Sequence, residues 1–507
     1  MKTWCTRVVR KLMGAAAAAV VMAGGAHAAP TELKIAYPVD LPSWDPTAVT
    51  FPAGQSLFKA VFDSPTFMDD KLVATPRQIE SWKWLDDAGT KLELNLRKDI
   101  FFHDGSPLTA EDLKFTFERA SKNKAIALNG MMPTVTGIEV VSPHQAVMTF
   151  SKPTPTAIKS LAFLTSYILP KAYIEKVGEE AFLKQPIGAG PYRLTGYQRG
   201  SRITLEAFDK YWGGKPAIDK VVFEIVPDSS ARVAAVESGR VDVSVQIPVR
   251  EVARLQKSPN LEAKTYPYSE MFILQMPSYV ETFQNEHLRR AMQLAIDKQG
   301  LSRAFYNNVA QPLSVLATKG SAADVPDFSI PFDREQAIAE LAKAGYSKDK
   351  PLKMRLLSTN NTFPSDYDMA RAIAQMWSQI GIETTVEEIT MAKYLELSHS
   401  SKLDGVMLYV WANATGDPEL GVGRILDPRL RLSTWKDPAL ASELDALSTE
   451  MDEEKRLASY HEIMKRASEN AWSLPVLQSI STIAHKKGLN LPTYQTGYIL
   501  PQDYSWK

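Results

Sequence analysis

One cysteine stands in a chain of 507 residues, and it is Cys5. Without a second thiol there is no disulfide to staple the fold within one chain, no Cys-x-x-Cys motif and no cysteine nucleophile beyond residue 5. An excess of one charge is missing too: 58 basic side chains meet 58 acidic ones, and basic residues occur in nothing longer than pairs such as Arg289-Arg290 and Lys486-Lys487. Such a chain lacks the basic stripe that nucleic acid or an anionic membrane would require of a partner. Beyond the amino terminus no apolar run reaches the roughly 20 residues of a membrane-spanning helix. The G-x-S-x-G elbow, the H-E-x-x-H zinc pair and the phosphate-cradling G-x-x-x-x-G-K are all absent. His103, His144, His287, His399, His461 and His485 lie far apart and form no local metal pattern. No catalytic residue, metal ligand or cofactor is therefore assigned, and an enzyme is not expected.

What is present begins with a secretory signal over residues 1–28. Lys2, Arg7, Arg10 and Lys11 precede the apolar run Leu12 to Gly24, and Ala26-His27-Ala28 forms a small-x-small cleavage site. Cleavage after Ala28 is expected. Cys5 lies before the apolar run, not at its end, so it cannot carry the lipid of an anchored lipoprotein. Processing removes four basic residues and no acidic one, leaving 54 against 58, a formal charge of −4. A remainder near 480 residues implies two or three domains, with 45% hydrophobic residues to fill their cores.

The stretch Pro186 to Asp242 organises the rest. Gly188, Gly190 and Pro191 open it as a turn, read here as a demand for positive φ. Two alternating segments follow, Arg202 to Phe208 and Lys220 to Val226, joined through Tyr211-Trp212-Gly213-Gly214-Lys215-Pro216. Asp228 or Ser229 then caps a helix that ends near Gly239 before an apolar strand at Val241 to Ile247, giving strand, helix, strand. Upstream, Glu32 to Tyr37 alternates as an opening strand, and Leu92, Leu94 and Leu96 share one face of another. His103-Asp104-Gly105 reads as a structural turn, and Thr109 caps a helix with Asp112 at its third position. Downstream, Asp333 with Gln336 forms a capping pattern. Leu352 to Leu357, Ser365 to Ile380 and Glu383 to Ile389 form a second strand-helix-strand unit.

The blocks GAGPYRL, YWGGKP, PDSSAR and ESGRVDV, in this order and spacing, resemble the extracytoplasmic solute-binding proteins of the dipeptide, oligopeptide and nickel ABC importers, family 5 of the bacterial extracellular solute-binding proteins. FFHDGSPLTAEDLKFTFERA and the helices near Leu288 and Asp333 extend the resemblance over nearly all of the processed chain. It implies an α/β, two-lobed periplasmic-binding-protein fold of type II in its large three-domain form, with a ligand cleft between the lobes. Residues 29–58, 187–271 and 479–507 would form domain I, 59–186 an inserted domain II, and 272–478 domain III, the second lobe. The chain would cross between lobes at Tyr266 to Met276 and again near Leu477 to Ile483, a hinge. A monomer in the periplasm would deliver a peptide or small organic solute to the membrane permease and ATPase subunits of an importer. A nickel or metal-chelate carrier, a secreted hydrolase and a periplasmic chaperone or sensor remain alternatives on the same scaffold.

Ligand chemistry is expected at Gly405 to Leu420, where an apolar strand runs out at Trp411 into a loop ending in Asp417-Pro418, since ligands gather beyond the carboxyl ends of strands in α/β sheets. The resemblance places Trp411 in the cleft. Peptide-binding members hold the peptide's α-amino group with a carboxylate in this loop, and the matching position here is Ala414. The region matching their carboxylate-binding arginine, Ser358 to Thr362, is uncharged. The expectation is a neutral or hydroxyl-rich ligand, or a blocked peptide, stacked on Trp411 and hydrogen-bonded by Asn360, Asn361, Asn413 and Thr415. Asp40 and Asp417 are the acids that could substitute, with Asp417 also read as a turn residue, and Tyr268 on the first crossing completes the candidate set.

Overall fold

The computed structural model describes residues 32–507 apart from 50–53, 123–125, 127, 129–131, 164–165, 361 and 399. The signal expected over residues 1–28, Cys5, Asn361 and His399 therefore lie outside the described residues. Strand Glu32–Tyr37 buries Leu33 and Ile35 completely and pairs in parallel with Lys220–Ile225 on one side and Val243–Val245 on the other. The helix between those two strands, Ser229–Glu237, is capped by Asp228, whose carboxylate accepts from the Ala231 N–H at 2.7 Å. The expected strand-helix-strand unit thus forms, with Glu32–Tyr37 inserted between its strands. Arg202–Ala207 and Tyr192–Gln198 extend this side antiparallel.

Beyond Val243–Val245 the same sheet continues through two long antiparallel strands, Ser473–Lys486 and Leu261–Gln275. It then passes to Val406–Ala412, Leu352–Ser358 and Ile382–Glu388, ten strands in all. The two long strands serve separate cores. Tyr266 and Ile483 pack with Leu33, Phe58 and Phe223, whereas Phe272, Leu274 and Leu477 pack with Leu288, Met292 and Trp377. Helix Asp366–Ser378 buries Met369, Ile373 and Trp377 against the parallel pair Leu352–Ser358 and Ile382–Glu388. Asp333 caps Arg334–Lys343 by accepting from the Gln336 N–H at 2.9 Å.

A separate four-stranded antiparallel sheet holds Ile79–Trp84, Lys91–Leu96, Gln145–Phe150 and Val135–Ser142, in that order. Leu92, Leu94 and Leu96 are its buried face. Beside it, helix Ala110–Lys122 begins where the Thr109 N–H and hydroxyl both donate to Asp112 Oδ2, at 2.8 and 2.9 Å. Chain returning from this region meets the Gly188 to Pro191 turn, and here the reason for glycine differs from the sequence expectation. Neither Gly188 nor Gly190 has positive φ. An added Cβ would instead sit 2.3 Å from the Val61 carbonyl oxygen at Gly188 and 2.5 Å from the Val61 carbonyl carbon at Gly190, so the requirement is close approach to helix Gln55–Phe62. His103 locks the turn. Its N–H donates to the Gly188 carbonyl at 2.9 Å, its Nδ1 accepts from the Gly188 N–H at 3.2 Å, and Nε2 donates to the Gly190 carbonyl at 3.0 Å.

Candidate functional site

Two long strands that pair perfectly would present a flat surface where the halves of the sheet meet. They do not pair perfectly. Pro267 stands opposite Ile480 and Met271 opposite Gln478, so Tyr268, Ser269 and Glu270 share the space facing Ser479. Extra residues on one strand bend it and re-aim its side chains. This bulge is held on three sides: the Ser269 N–H donates to the Gln495 carbonyl at 2.7 Å, the Asn413 N–H to the Ser269 carbonyl at 2.8 Å, and Gln478 Nε2 to the Tyr268 carbonyl at 3.1 Å. The Tyr268 ring packs against Gly497, where an added Cβ would meet it at 2.4 Å.

The bulge brings an acid among phenols. Burial, then the Glu270 carboxylate, then Tyr498, Tyr266 and Tyr37 push the Tyr268 hydroxyl well above its ordinary value, and Glu270 also acts on Tyr394. Tyr37 and Tyr266 belong to one core, Tyr394 to the other half of the molecule. Glu270 itself is half-buried, keeping narrow access to solvent. Burial pushes its carboxyl up to about 7, opposed by a hydrogen bond with Tyr268, and among the described residues no lysine, arginine or histidine pairs with it. Next to it on strand Val406–Ala412 runs a ladder of rings. Tyr394 stacks on Tyr409 at 5.5 Å and 11°, and Tyr409 on Trp411 at 6.3 Å and 29°. Tyr409 and Trp411 share a face because strand side chains alternate.

The expected ligand residues divide. Trp411 and Tyr268 lie on neighbouring strands, Trp411 opposite Met271, both half-buried. The Trp411 indole N–H donates to the Leu420 carbonyl at 3.3 Å. Asn413 and Thr415 are tied inward: Thr415 Oγ1 donates to Asn413 Oδ1 at 2.7 Å, Asn413 Nδ2 donates to the Asp417 carbonyl at 2.9 Å, and both side chains and Ala414 are buried. They shape the loop. Asp417, read both as a possible substitute acid and as a turn residue, is bound within the fold, where it also accepts from the Glu419 N–H at 3.0 Å. It is completely buried, its oxygens receive Arg456 at 2.9 and 2.7 Å, and Lys159 Nζ lies 2.9 Å from Oδ2. Asp40, the other acid considered, is half-buried and hydrogen-bonded within the fold. Its carboxylate accepts from Tyr197 at 2.9 Å and from the Gly200 N–H at 2.7 Å, at the opposite edge of the ten-stranded sheet from the Leu352–Ser358 region. Asn360 is exposed on the rim, its Nδ2 donating to Glu388 Oε2 at 3.0 Å.

Glu270 was missed by sequence reasoning. The signal available was a single charge directly ahead of the apolar run Met271 to Leu274, where a buried strand has no ordinary use for one. An acid therefore exists at the seam even though Ala414 provides none in the loop.

Around this seam the segment 59–186 touches the far half. Lys159 reaches Asp417 and Glu453, Lys152 Nζ donates to Ser448 Oγ at 3.1 Å, and Gly416 lies so close to Leu72 that a Cβ would stand 3.0 Å from it. Burial would raise the Asp417 carboxyl, but the hydrogen bonds and charges of Arg456 and Lys159 outweigh it and hold it down at about 2. At neighbouring Glu419, burial and the Asp417 charge push the carboxyl up to about 7. A cavity of about 210 Å³ lined by Met132, Lys152, Glu419, Arg424 and Tyr460 occupies this contact, away from Trp411 and Glu270. Among the described residues no three histidine, cysteine, aspartate or glutamate side chains group so as to hold a metal ion, and no helix is long and apolar enough to cross a membrane.

Comparison with known proteins gives a consistent picture. The family model described as bacterial extracellular solute-binding proteins, family 5 middle, matches residues 74–429. The dipeptide-binding protein of Escherichia coli (strain K12) is 26% identical over 371 residues, 68% of either chain. The nickel-binding protein NikA of Staphylococcus aureus is 26% identical over 376 residues, covering 72% of this chain and 71% of that protein. Among solved structures, the periplasmic binding protein DppA from Helicobacter pylori in complex with the peptide STSA superposes with a TM-score of 0.80 at 20% identity, covering 94% of this chain and 98% of that one. The shared fold is the two-lobed α/β fold of periplasmic binding proteins.

Proposed function

Because the chain belongs to the bacterial extracellular solute-binding proteins of family 5, we propose that it is the substrate-binding component of an ABC importer. It captures a peptide, peptide-like or small organic solute and passes it to a membrane permease driven by an ATPase subunit. It works in the periplasm as a monomer, after removal of residues 1–28. In this reading the halves of the ten-stranded sheet are lobes, with 29–58, 187–271 and 479–507 as domain I, 59–186 as domain II and 272–478 as domain III. The two long strands act as the hinge.

The observation that carries the reading is the bulge. A flat seam would serve a structural protein as well, whereas Tyr268 and Glu270, beside the ladder ending at Trp411, put polar and aromatic groups where two cores adjoin. A ligand touching both halves binds the closed form better than the open one and so shifts the equilibrium toward closure. Lys159, Lys152 and Leu72 are the groups that come to rest on the far half when closed. Native mass spectrometry of the purified protein recovers the retained ligand, and small-angle scattering with and without it tests closure. A smaller radius of gyration at saturation is expected; an unchanged one overturns the reading. Amino-terminal sequencing is expected to begin at Ala29.

A further inference from the structure

Resting on the binding-protein reading above, we propose that Glu270 anchors a positively charged group of the ligand, an ammonium or a guanidinium. The bulge places this carboxylate opposite Ala412, whose side chain is too small to cover it, on the strand that both cores share. The Tyr268 hydroxyl hydrogen-bonds the carboxylate, whose charge also reaches Tyr394, a residue of the other half. The other acids and loop side chains considered for the ligand are already bonded within the fold. Asp417 has two cations, Asp40 has a hydroxyl and a backbone N–H, and Asn413 and Thr415 bond to their own loop.

Among the described residues, Glu270 has a phenol and nothing positive. A carboxylate drawn out of water without a counter-charge is unfavourable by several kcal/mol in general, which is why burial lifts its carboxyl to about 7. A neutral, hydroxyl-rich ligand would do nothing to offset the cost of the charged form and would leave the carboxyl to protonate, and an anionic one would raise that cost further. A cation supplies the missing partner, and the electron-rich face of the neighbouring Tyr268 ring adds to its attraction. The neutral ligand expected from Ala414 is thus replaced by a charged one, because the acid resides on a crossing strand instead of in the loop. The same chemistry could come from the α-ammonium of a peptide or from an alkylamine or guanidinium.

Calorimetry on the processed chain with free dipeptides to pentapeptides, their N-acetylated forms, agmatine and putrescine tests the assignment. At least one cationic probe is expected to bind, and Glu270→Gln to weaken it on the order of 100-fold, with Glu270→Asp intermediate. A free peptide whose acetylated form fails identifies the α-ammonium as the source; agmatine or putrescine identifies the other. Glu270→Gln is expected to melt no lower than the parent, so a loss of binding is not a loss of fold. The inference is overturned if no cationic probe binds, or if Glu270→Gln leaves the bound probe's affinity within about threefold. Scattering separates the two readings: a neutral probe that compacts the protein leaves the importer reading standing while Glu270 loses its role. If neither a probe nor the retained ligand compacts it, the importer reading itself falls.

Discussion

Asp417 and Glu270 are two acids taken out of bulk water in the same half of the molecule, and they have opposite fates. Asp417 sits between Arg456 and Lys159, and its carboxyl is held at about 2. Glu270 has Tyr268, and its carboxyl is lifted to about 7. Burial acts on both in the same direction; the difference is whether the chain supplies its own cations. A paired acid is finished within the fold, and its loss is a stability event. An acid without a cation of its own is, on the proposal above, kept for an external partner, and its loss is expected to be a binding event.

The strongest way to break this contrast is to unpair Asp417. Arg456→Met removes the bidentate donor and leaves a fully buried carboxylate with Lys159 alone. A loss of about 3–5 kcal/mol of unfolding free energy is expected in urea titration at neutral pH. A loss under about 1 kcal/mol would mean that the pair is not the support described here.

Glu270→Gln should do the reverse in the ligand-free protein. A carboxyl raised from 4.5 to about 7 binds protons more tightly folded than unfolded. It therefore lowers stability progressively as pH rises from about 4.5 to 7, reaching about 3 kcal/mol above that window. The glutamine variant is expected to be more stable than the parent at pH 8 by up to that amount and equal to it at pH 4. Equal stabilities at pH 8 would show that Glu270 is solvated like a surface acid.

His103 sharpens the comparison with a third buried group, one that the backbone alone satisfies. Burial pushes its imidazole down to about 4, against the opposing hydrogen bond to Gly190. The neutral ring contributes fully above pH 6.5, and the contribution fades as pH falls toward 4, by roughly 3 kcal/mol in all. His103→Gln is expected to flatten the stability slope between pH 6.5 and 4; an unchanged slope would move the effect elsewhere.

These groups also mark what the sequence makes legible. The caps at Asp228 and Asp333, the pairing of Thr109 with Asp112 and the face of Leu92, Leu94 and Leu96 depend on neighbours within a few residues, and pattern alone finds them. The family blocks carry the fold for the same reason. The bulge is different, because it arises from register between Pro267 and Ile480 on one side and Met271 and Gln478 on the other, a pairing that no local pattern records. Asp417 looked available because its partners stand 39 and 258 residues away. Gly188 and Gly190 were read as turn residues although their neighbour, Val61, is over 120 positions earlier. Local chemistry was read well, and whether a charged side chain was already satisfied was not.

The smallest expected effect tests whether contacts around Asp417 belong to closure or merely to folding. Gly416 has φ of +63°, and a Cβ there would stand 3.0 Å from Leu72 and 3.3 Å from Ser321. Gly416→Ala therefore carries two separable penalties. The left-handed backbone costs an alanine about 1–2 kcal/mol whichever way the halves sit. The contact with Leu72 exists only when the segment 59–186 rests on the far half, so its cost falls on the closed form alone. Leu72→Ala removes the second penalty and leaves the first. If closure brings these residues together, Gly416→Ala weakens ligand binding by up to about tenfold, and Leu72→Ala added to it restores most of the affinity without restoring the melting temperature. Recovery of both together would place the Leu72 contact in the ground fold, and the hinge would have to turn about some other seam.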